Sequence, residues 1–361
     1  MIDQTKSYTI KPRVLYLGVP KHQSSRIRDQ YSELFDIDIL DVSTRAEALE
    51  DIPRIVASRG PYQCLVCRLG PQPFEPFDSQ LLGPLLPDLR IVVSAQSGFD
   101  DFHVDWMTRQ GIWFCNTRHA MVESTAEMAL FLIMAVSRNT SRAEQSLRSG
   151  MWRGRLPLSR DLRSTTLGIV GMGSIGACLA RKAVALGMQV RYHNRSGKAA
   201  GNKAPAGSVC CATLDELLQT SDIISLHCPL TPGTRHLMSD KQFQMMKDGS
   251  YLINTARGGV VDSQALIRAL EKGKLAGAGL DVFENEPTGI DPYFLESDKV
   301  VPIPHMGGLT EGSFEIAEQE CLTNLQEYFS KGRPFAPLNF VNPPVHSVSS
   351  LPYLTIQSIS V

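Results

Sequence analysis

No stretch of this sequence is apolar for the roughly 18 consecutive residues that a membrane-spanning helix requires. Its opening residues, MIDQTKSYTIKPRVLYLG, pass from polar positions straight into a strand pattern, with no signal-peptide core. Neither sign of charge dominates, since 36 lysines and arginines meet 37 aspartates and glutamates. That balance removes the electrostatic basis for nucleic-acid binding, so an anionic small substrate has to be drawn in by local charges. Internal repeats and low-complexity blocks are absent, and the terminal Ser-Ile-Ser-Val is no recognised address signal. The expectation is a cytoplasmic protein with no membrane and no nucleic-acid partner. What the chain does have is length: 361 residues with 43% hydrophobic content suffice for two ordinary domains.

Eight cysteines are scattered along the chain. Cys64 and Cys67 form a CxxC inside the apolar run YQCLVC, which reads as a buried strand. Residues three apart on a strand point to opposite faces, an arrangement that suits neither zinc nor a redox pair. Reduced core thiols and no metal are expected.

Strand and helix patterns alternate, which predicts an α/β architecture with parallel sheets. RVLYLG, YQCLVCRLG and LRIVVSAQSG are short, uninterrupted apolar runs of the kind that strands covered on both faces display. SQLLGPLLPDL between them is a helical segment weakened by Pro84 and Pro87. A single long helix is expected from about Val122 to Ser149, ending at Gly150, and at roughly 1.5 Å per residue it would exceed about 40 Å. The irregular GMWRGRLPLSRDLRS after it reads as an exposed arm. From Thr166 to about His305 the alternation is regular, with TLGIVG, MQVRYHNRS, DIISLHCPL, YLINTARGG, LAGAGLDVF and KVVPIPH as successive strands. GSFEIAEQECLTNLQEYFSKG then reads as a final amphipathic helix, and the residues after Asn342 have no clear period.

GMGSIG follows TLGIV and opens a helix, the context a dinucleotide-binding loop requires. Gly171 would permit the tight turn, Gly173 the approach of a pyrophosphate, and Gly176 the packing of helix on strand. The amides of Ser174 and Ile175 would then face phosphates at a helix N-terminus. The second strand ends in Asn194, Arg195 and Ser196, where NAD-preferring sites commonly carry an acid that accepts the ribose hydroxyls. A carboxylate would repel a 2′-phosphate, whereas Arg195 can bind it and Asn194 and Ser196 can add neutral donors. The expected cofactor is therefore NADPH/NADP rather than NADH, although a solvent-exposed loop arginine would give the same letters.

Three further segments end strands with chemically useful groups. YLINTARGGVVD carries Arg257, GLDVFENEP carries Asp281 and Glu286, and VPIPHMGG carries His305. In open parallel sheets ligands bind at the carboxyl ends of strands, so these groups are candidates for one crevice. Each alone has a duller explanation: a salt bridge, a surface acid, a strand cap. GMGSIG, HCPLTPGTRHL, NTARGGVVD, GLDVFENEP and PHMGG together, in this order, resemble the D-isomer-specific 2-hydroxyacid dehydrogenase family over about residues 12–342.

The resemblance implies two doubly wound parallel-sheet domains, a Rossmann-like coenzyme domain of residues 120–306 and a flavodoxin-like substrate domain of 1–119 and 307–361, with an interdomain cleft and a homodimeric assembly. It implies hydride transfer between the cofactor and a small 2-oxoacid. His305 suits proton donation, since a histidine's ordinary pKa is about 6.5. Glu286 would orient the ring and stabilise the imidazolium, and Arg257 would bind the substrate carboxylate and polarise its carbonyl. Asp281 resembles the family residue on the nicotinamide side. Thr125, Cys228, Pro229, Thr234, Thr255, Ala256 and Gly307 match positions near the cofactor. Leu69, Gly70, Ser97 and Gly98 would offer backbone amides to the carboxylate, although glycine-containing loops of this kind also serve as simple turns. Phe74, Phe77 and Met306 suggest a pocket for an aromatic or branched 2-oxoacid. Met306-Gly307-Gly308 departs from the small residue followed by Gly-Ser or Gly-Thr of many relatives, which bears on substrate size and not on the reaction. The competing readings are a glyoxylate or hydroxypyruvate reductase and, from another class, a cofactor-sensing corepressor-like binding protein.

Overall fold

The computed structural model describes residues 11–20, 23–67, 74–153, 156–195 and 203–341. The chain divides into two compact units, Val122–Leu309 and the flanking pair Met1–Met121 with Thr310–Val361. Each unit has its own parallel sheet.

The first sheet contains β1 (Arg13–Leu17), β2 (Asp36–Leu40), β3 (Cys64–Cys67), β4 (Ile91–Ser94) and β5 (Trp113–Cys115), ordered β2-β1-β3-β4-β5. This is the flavodoxin-like order. Alternate residues feed two cores: Val14, Tyr16, Cys64 and Val66 on one face, Leu15, Leu17, Leu65 and Cys67 on the other. Each such fully buried aliphatic or aromatic side chain contributes about 1.5–3 kcal/mol. Cys64 and Cys67 thus lie on opposite faces, and all eight cysteines are free. Phe74 and Phe77 are fully buried in this core, Phe77 stacking on Phe102 at 4.2 Å, which corrects the expectation that they shape a substrate pocket. A side chain with no exposed surface has nothing left to offer a ligand.

The second sheet contains seven strands: β6 (Thr166–Val170), β7 (Gln189–His193), β8 (Val209–Cys210), β9 (Ile223–Leu226), β10 (Ser250–Asn254), β11 (Leu275–Leu280) and β12 (Val300–Pro302). Their order, β12-β11-β10-β9-β6-β7-β8, is that of a dinucleotide-binding sheet, with the strand order reversing beside β6. Cores again cover both faces, with Leu167, Ile169 and Ile253 on one and Leu226, Leu252 and Leu280 on the other.

The single long helix is not observed. Helix Val122–Ser137 stops, Asn139 takes left-handed backbone (φ 53), and a second helix runs Thr140–Arg148. Residues 137–141, Ser-Arg-Asn-Thr-Ser, carry the cause: asparagine accepts the left-handed region at low cost, and the Thr140 hydroxyl turns back to the Ala135 carbonyl at 3.2 Å. SQLLGPLLPDL forms only one turn, Ser79–Leu82, before a 3₁₀ turn. The last helix, Glu311–Lys331, is capped by the Thr310 side chain and closed by left-handed Gly332 (φ 74). Among the described residues no helix is long and apolar enough to cross a membrane.

Candidate active site

The site is assembled at the carboxyl ends of β6, β10, β11 and β12, all in the Val122–Leu309 unit. After β6 the chain turns through Gly171 (φ 98) into helix Ser174–Ala185. A Cβ on Gly171 would lie 2.8 Å from the His227 carbonyl oxygen, and one on Gly176 would lie 2.3 Å from that of Gly171, so both positions require glycine. A Cβ on Gly173 would meet nothing within 4 Å. The helix N-terminus has no side-chain cap, which leaves the Ser174 and Ile175 amides for an outside acceptor. The buried Thr255 hydroxyl also has no hydrogen-bond partner among the described residues. An open glycine, an uncapped helix end and an orphaned hydroxyl fit a dinucleotide phosphate and its neighbouring groups.

β7 ends at His193, and the Asn194 Oδ1 accepts the Met172 amide at 2.8 Å, so this side chain holds the glycine-rich turn. Arg195 is exposed beside it. Ser196 lies outside the described residues, as do Leu69 and Gly70. The Thr234 hydroxyl is used within its own loop, accepting from the Thr231 amide at 2.8 Å and donating to the Pro229 carbonyl at 2.6 Å. Burial pushes the neighbouring Cys228 thiol up to about 11, which makes it a packing group rather than a nucleophile. Thr125 is buried on helix Val122–Ser137 beside Gly307. In the other unit, the Ser97 carbonyl accepts from Asn116 Nδ2 at 2.6 Å and the Gln96 carbonyl from the Thr117 amide at 3.0 Å. Both carbonyls are thereby turned toward the end of β5.

His305 follows β12 in left-handed backbone (φ 52), and its Nδ1 lies 2.7 Å from Glu286 Oε1. The other Glu286 oxygen accepts the Phe283 amide at 3.0 Å. Burial opposes ionisation of Glu286, but the His305 hydrogen bond and charge, the Phe283 amide and the Arg257 charge outweigh it and hold the carboxyl below its ordinary value. Arg257 begins the loop after β10, and its Nη1 donates to the Ala256 carbonyl at 2.8 Å.

Two residues brace this set in ways the sequence does not announce. Asp281 is fully buried, and its carboxylate oxygens accept the Met306 amide at 2.5 Å and the Gly307 amide at 2.8 Å. Burial pushes its pKa up, against those two amides. Its backbone carbonyl accepts the His305 amide at 2.9 Å. Asn254, also buried, donates through Nδ2 to the Arg257 carbonyl at 2.9 Å and accepts the Ala256 amide at 3.0 Å. Only the letters of NTARGG mark Asn254, and a buried asparagine closing its own loop was the available signal. The arrangement can hold an anion at Arg257 beside a histidine whose Nδ1 is fixed by a carboxylate. Among the described residues no cluster of three or more His, Cys, Asp or Glu is placed to hold a metal ion.

Comparison with known proteins agrees with this geometry. Residues 130–307 match the family model described as D-isomer specific 2-hydroxyacid dehydrogenase, NAD binding domain. The dehydrogenase efuE of Hormonema carpetanum is 46% identical over 92% of this chain and 82% of its own length. The 4-methyl-2-oxopentanoate reductase A of Aspergillus oryzae is 39% identical over 72% of this chain and 77% of its own. Among solved structures, holo D-mandelate dehydrogenase of Rhodotorula graminis superposes with a TM-score of 0.85 at 30% identity, covering 93% of this chain and 100% of that one. A glyoxylate reductase of Paecilomyes thermophila gives 0.82 at 32%, covering 91% and 98%. The chain belongs to the D-isomer-specific 2-hydroxyacid dehydrogenase family and is an oxidoreductase acting on 2-oxoacids.

Proposed function

We propose that this protein reduces an aromatic or branched 2-oxoacid to the D-2-hydroxy acid, with NADPH as hydride donor and His305 as proton donor. The observation that carries the reading is the 2.7 Å contact between His305 Nδ1 and Glu286 Oε1. A carboxylate at Nδ1 keeps a proton on that nitrogen and stabilises the imidazolium, which leaves the Nε2 proton as the one to give away. Arg257 binds the substrate carboxylate and polarises the carbonyl, while Asn254 and Asp281 hold the two loops. The bound dinucleotide supplies the hydride. Gly173, Ser174 and Ile175 hold its pyrophosphate, and Asn194 and Arg195 face the ribose, with Ser196 assigned there on the family resemblance alone. Thr125, Cys228, Pro229, Thr234, Thr255, Ala256, Asp281 and Gly307 lie along the rest of it. The assignment of Leu69, Gly70, Ser97 and Gly98 to the substrate carboxylate rests on the family resemblance.

The preference for NADPH is supported by the absence of an acid at Asn194 and the exposed Arg195 beside it. The larger substrate is supported by the likeness to a 4-methyl-2-oxopentanoate reductase and a D-mandelate dehydrogenase. The similarity to a glyoxylate reductase favours the second reading, a glyoxylate or hydroxypyruvate reductase with the same machinery. Exposed Phe131, Met134, Leu147, Met151, Trp152 and Leu158 support a homodimer that covers them. Eight free cysteines, six of them buried, suit a reducing compartment such as the cytoplasm.

The deciding experiment follows oxidation of NADPH and NADH at 340 nm with phenylpyruvate, 2-oxoisovalerate, hydroxypyruvate and glyoxylate. Preferential turnover of NADPH with the first two acids is the expected result. Preference for the small acids moves the protein to the second reading. Cofactor binding without turnover of any acid sinks the enzyme and favours a cofactor sensor.

A further inference from the structure

A second histidine–glutamate pair stands behind the first. Residues Phe283-Glu284-Asn285-Glu286 carry two carboxylates, and each meets an imidazole. Glu286 meets His305 at 2.7 Å, and Glu284 Oε1 lies 2.7 Å from His236 Nε2. The other oxygen of Glu284 accepts the Ser263 amide at 3.1 Å, and the His236 amide donates to the Gly259 carbonyl at 2.9 Å. Both partners of Glu284 therefore belong to segments next to Arg257: one sits on the Gly258–Val260 turn, the other begins the helix that follows it.

The backbone here is held tightly. A Cβ on Gly258 would lie 2.0 Å from the Phe283 carbonyl carbon and 2.4 Å from the Glu284 nitrogen, so the Phe283–Glu286 segment rests directly on the peptide after Arg257. Of five non-glycine residues with positive φ among those described, three belong to this assembly: His236 (52), Asn285 (59) and His305 (52). Left-handed backbone at such residues persists where the surroundings over-determine it, and it clusters at working sites. Burial raises the Glu284 carboxyl, but the Ser263 and His236 contacts outweigh this and keep it below its ordinary value. The charged groups facing the two carboxylates are His236 for Glu284 and His305, Arg257 and the buried Asp281 carboxyl for Glu286, with Arg235 beside Gly259.

We infer that Glu284, through its pair with His236, is a positioning residue for the proton-donating pair. It holds the segment that carries Glu286 against the loop that carries Arg257, and so fixes where the Glu286 carboxylate meets His305. Glu284 touches neither substrate nor cofactor and acts only through Glu286. The inference rests on the reading of Glu286 and His305 as the proton-donating pair.

The test is a double-mutant cycle on kcat/KM for phenylpyruvate at saturating NADPH, followed across pH, with Tm recorded for every variant. Glu284→Gln and His236→Asn are each expected to lower kcat/KM roughly 10-fold and to displace the alkaline limb of the profile in the direction that Glu286→Gln displaces it. The KM for NADPH stays unchanged. In the Glu286→Gln background, Glu284→Gln is expected to add less than about twofold, because the group it positions is already gone. Equal losses in both backgrounds, or a lowered Tm with an unmoved pH limb, overturn the inference and leave Glu284 a purely structural brace. Should Glu284→Gln fold poorly, His236→Asn breaks the same contact from the other side. A fully active Glu286→Gln variant refutes the proton-donor reading itself, and the positioning role falls with it.

Discussion

Glu286→Gln removes the carboxylate that holds the His305 ring. The carboxylate holds two donors, His305 Nδ1 at 2.7 Å and the Phe283 amide at 3.0 Å, with one oxygen for each. A glutamine has one oxygen and one NH₂ in the same shape. With its oxygen on the Phe283 amide, the glutamine NH₂ faces His305 Nδ1 and can donate there only to a neutral ring that carries its proton on Nε2, so the protonated ring loses this bond, at a cost of about 1 kcal/mol. The loss of charge matters more for catalysis. A charge-assisted hydrogen bond contributes about 1.5–3 kcal/mol when buried, against about 0–1 for an exposed ion pair. The His305 and Glu286 side chains are 48% and 30% exposed, so this contact falls between, at about 1–2 kcal/mol. That corresponds to roughly 10-fold in kcat/KM. In reduction assays at 340 nm, the alkaline limb of kcat/KM should move down, with a roughly 10-fold loss at pH 8 that narrows toward pH 6. An unmoved limb with activity within about twofold of the parent at pH 8 would refute the assignment of His305 as proton donor.

Three other outcomes follow from single contacts. Gly173→Ala adds a methyl group that meets nothing in the protein, so Tm should hold within a few degrees while dinucleotide binding, followed by cofactor fluorescence, weakens at least about 10-fold; unchanged binding would move the pyrophosphate away from this turn. Asn194→Asp keeps an acceptor for the Met172 amide and adds a negative charge at the end of β7, so KM for NADPH should rise about 10-fold and that for NADH should fall. Burial pushes the pKa of Glu318 up despite its bonds to Tyr16 and Gln23. An acid raised on folding loses stability as pH climbs from its unfolded value toward its folded one. The Tm of Glu318→Gln relative to the parent should therefore increase from pH 4.5 to pH 8, and a pH-independent difference would contradict the buried-acid account.

The candidate catalytic residues stood out in the sequence more clearly than the framework that holds them. Arg257, Glu286 and His305 announce themselves because each follows a strand within a motif whose residue types only make sense together. The three strands that no apolar run marked, β2, β5 and β8, all lie at sheet edges. β2 is partly exposed, and β5 and β8 span only Trp113–Cys115 and Val209–Cys210, too short for an apolar run to stand out. Helix propensity carried the reading straight through Asn139, because propensity summed over a long window does not see a single residue adopting left-handed backbone. Phe74 and Phe77 show the reverse error, since nearness in sequence to a glycine loop says nothing about which way a ring points.

The same bracing explains why the reaction could be read and the substrate could not. The Asp281 amide donates to the Asn254 carbonyl at 2.9 Å, and the His305 amide donates to the Asp281 carbonyl at 2.9 Å, so neighbouring strands β10, β11 and β12 are joined just where the loops carrying Arg257, Glu286 and His305 begin. With Asn254 also holding the Arg257 carbonyl, a continuous run of backbone and buried side-chain bonds leads from Arg257 to His305. Met306 enters that run only through its amide, which Asp281 holds at 2.5 Å, while its half-buried side chain takes no part. Side chains of this kind are free to vary without disturbing the His305–Glu286 pair. Met306→Ala should therefore change the ratio of kcat/KM for phenylpyruvate over glyoxylate by several-fold, on the order of 1 kcal/mol for lost apolar contact. It should leave the alkaline limb where it is, because the amide and its carboxylate partner are untouched. A shifted limb would mean that the side chain, and not the Asp281 clamp, sets the position of His305.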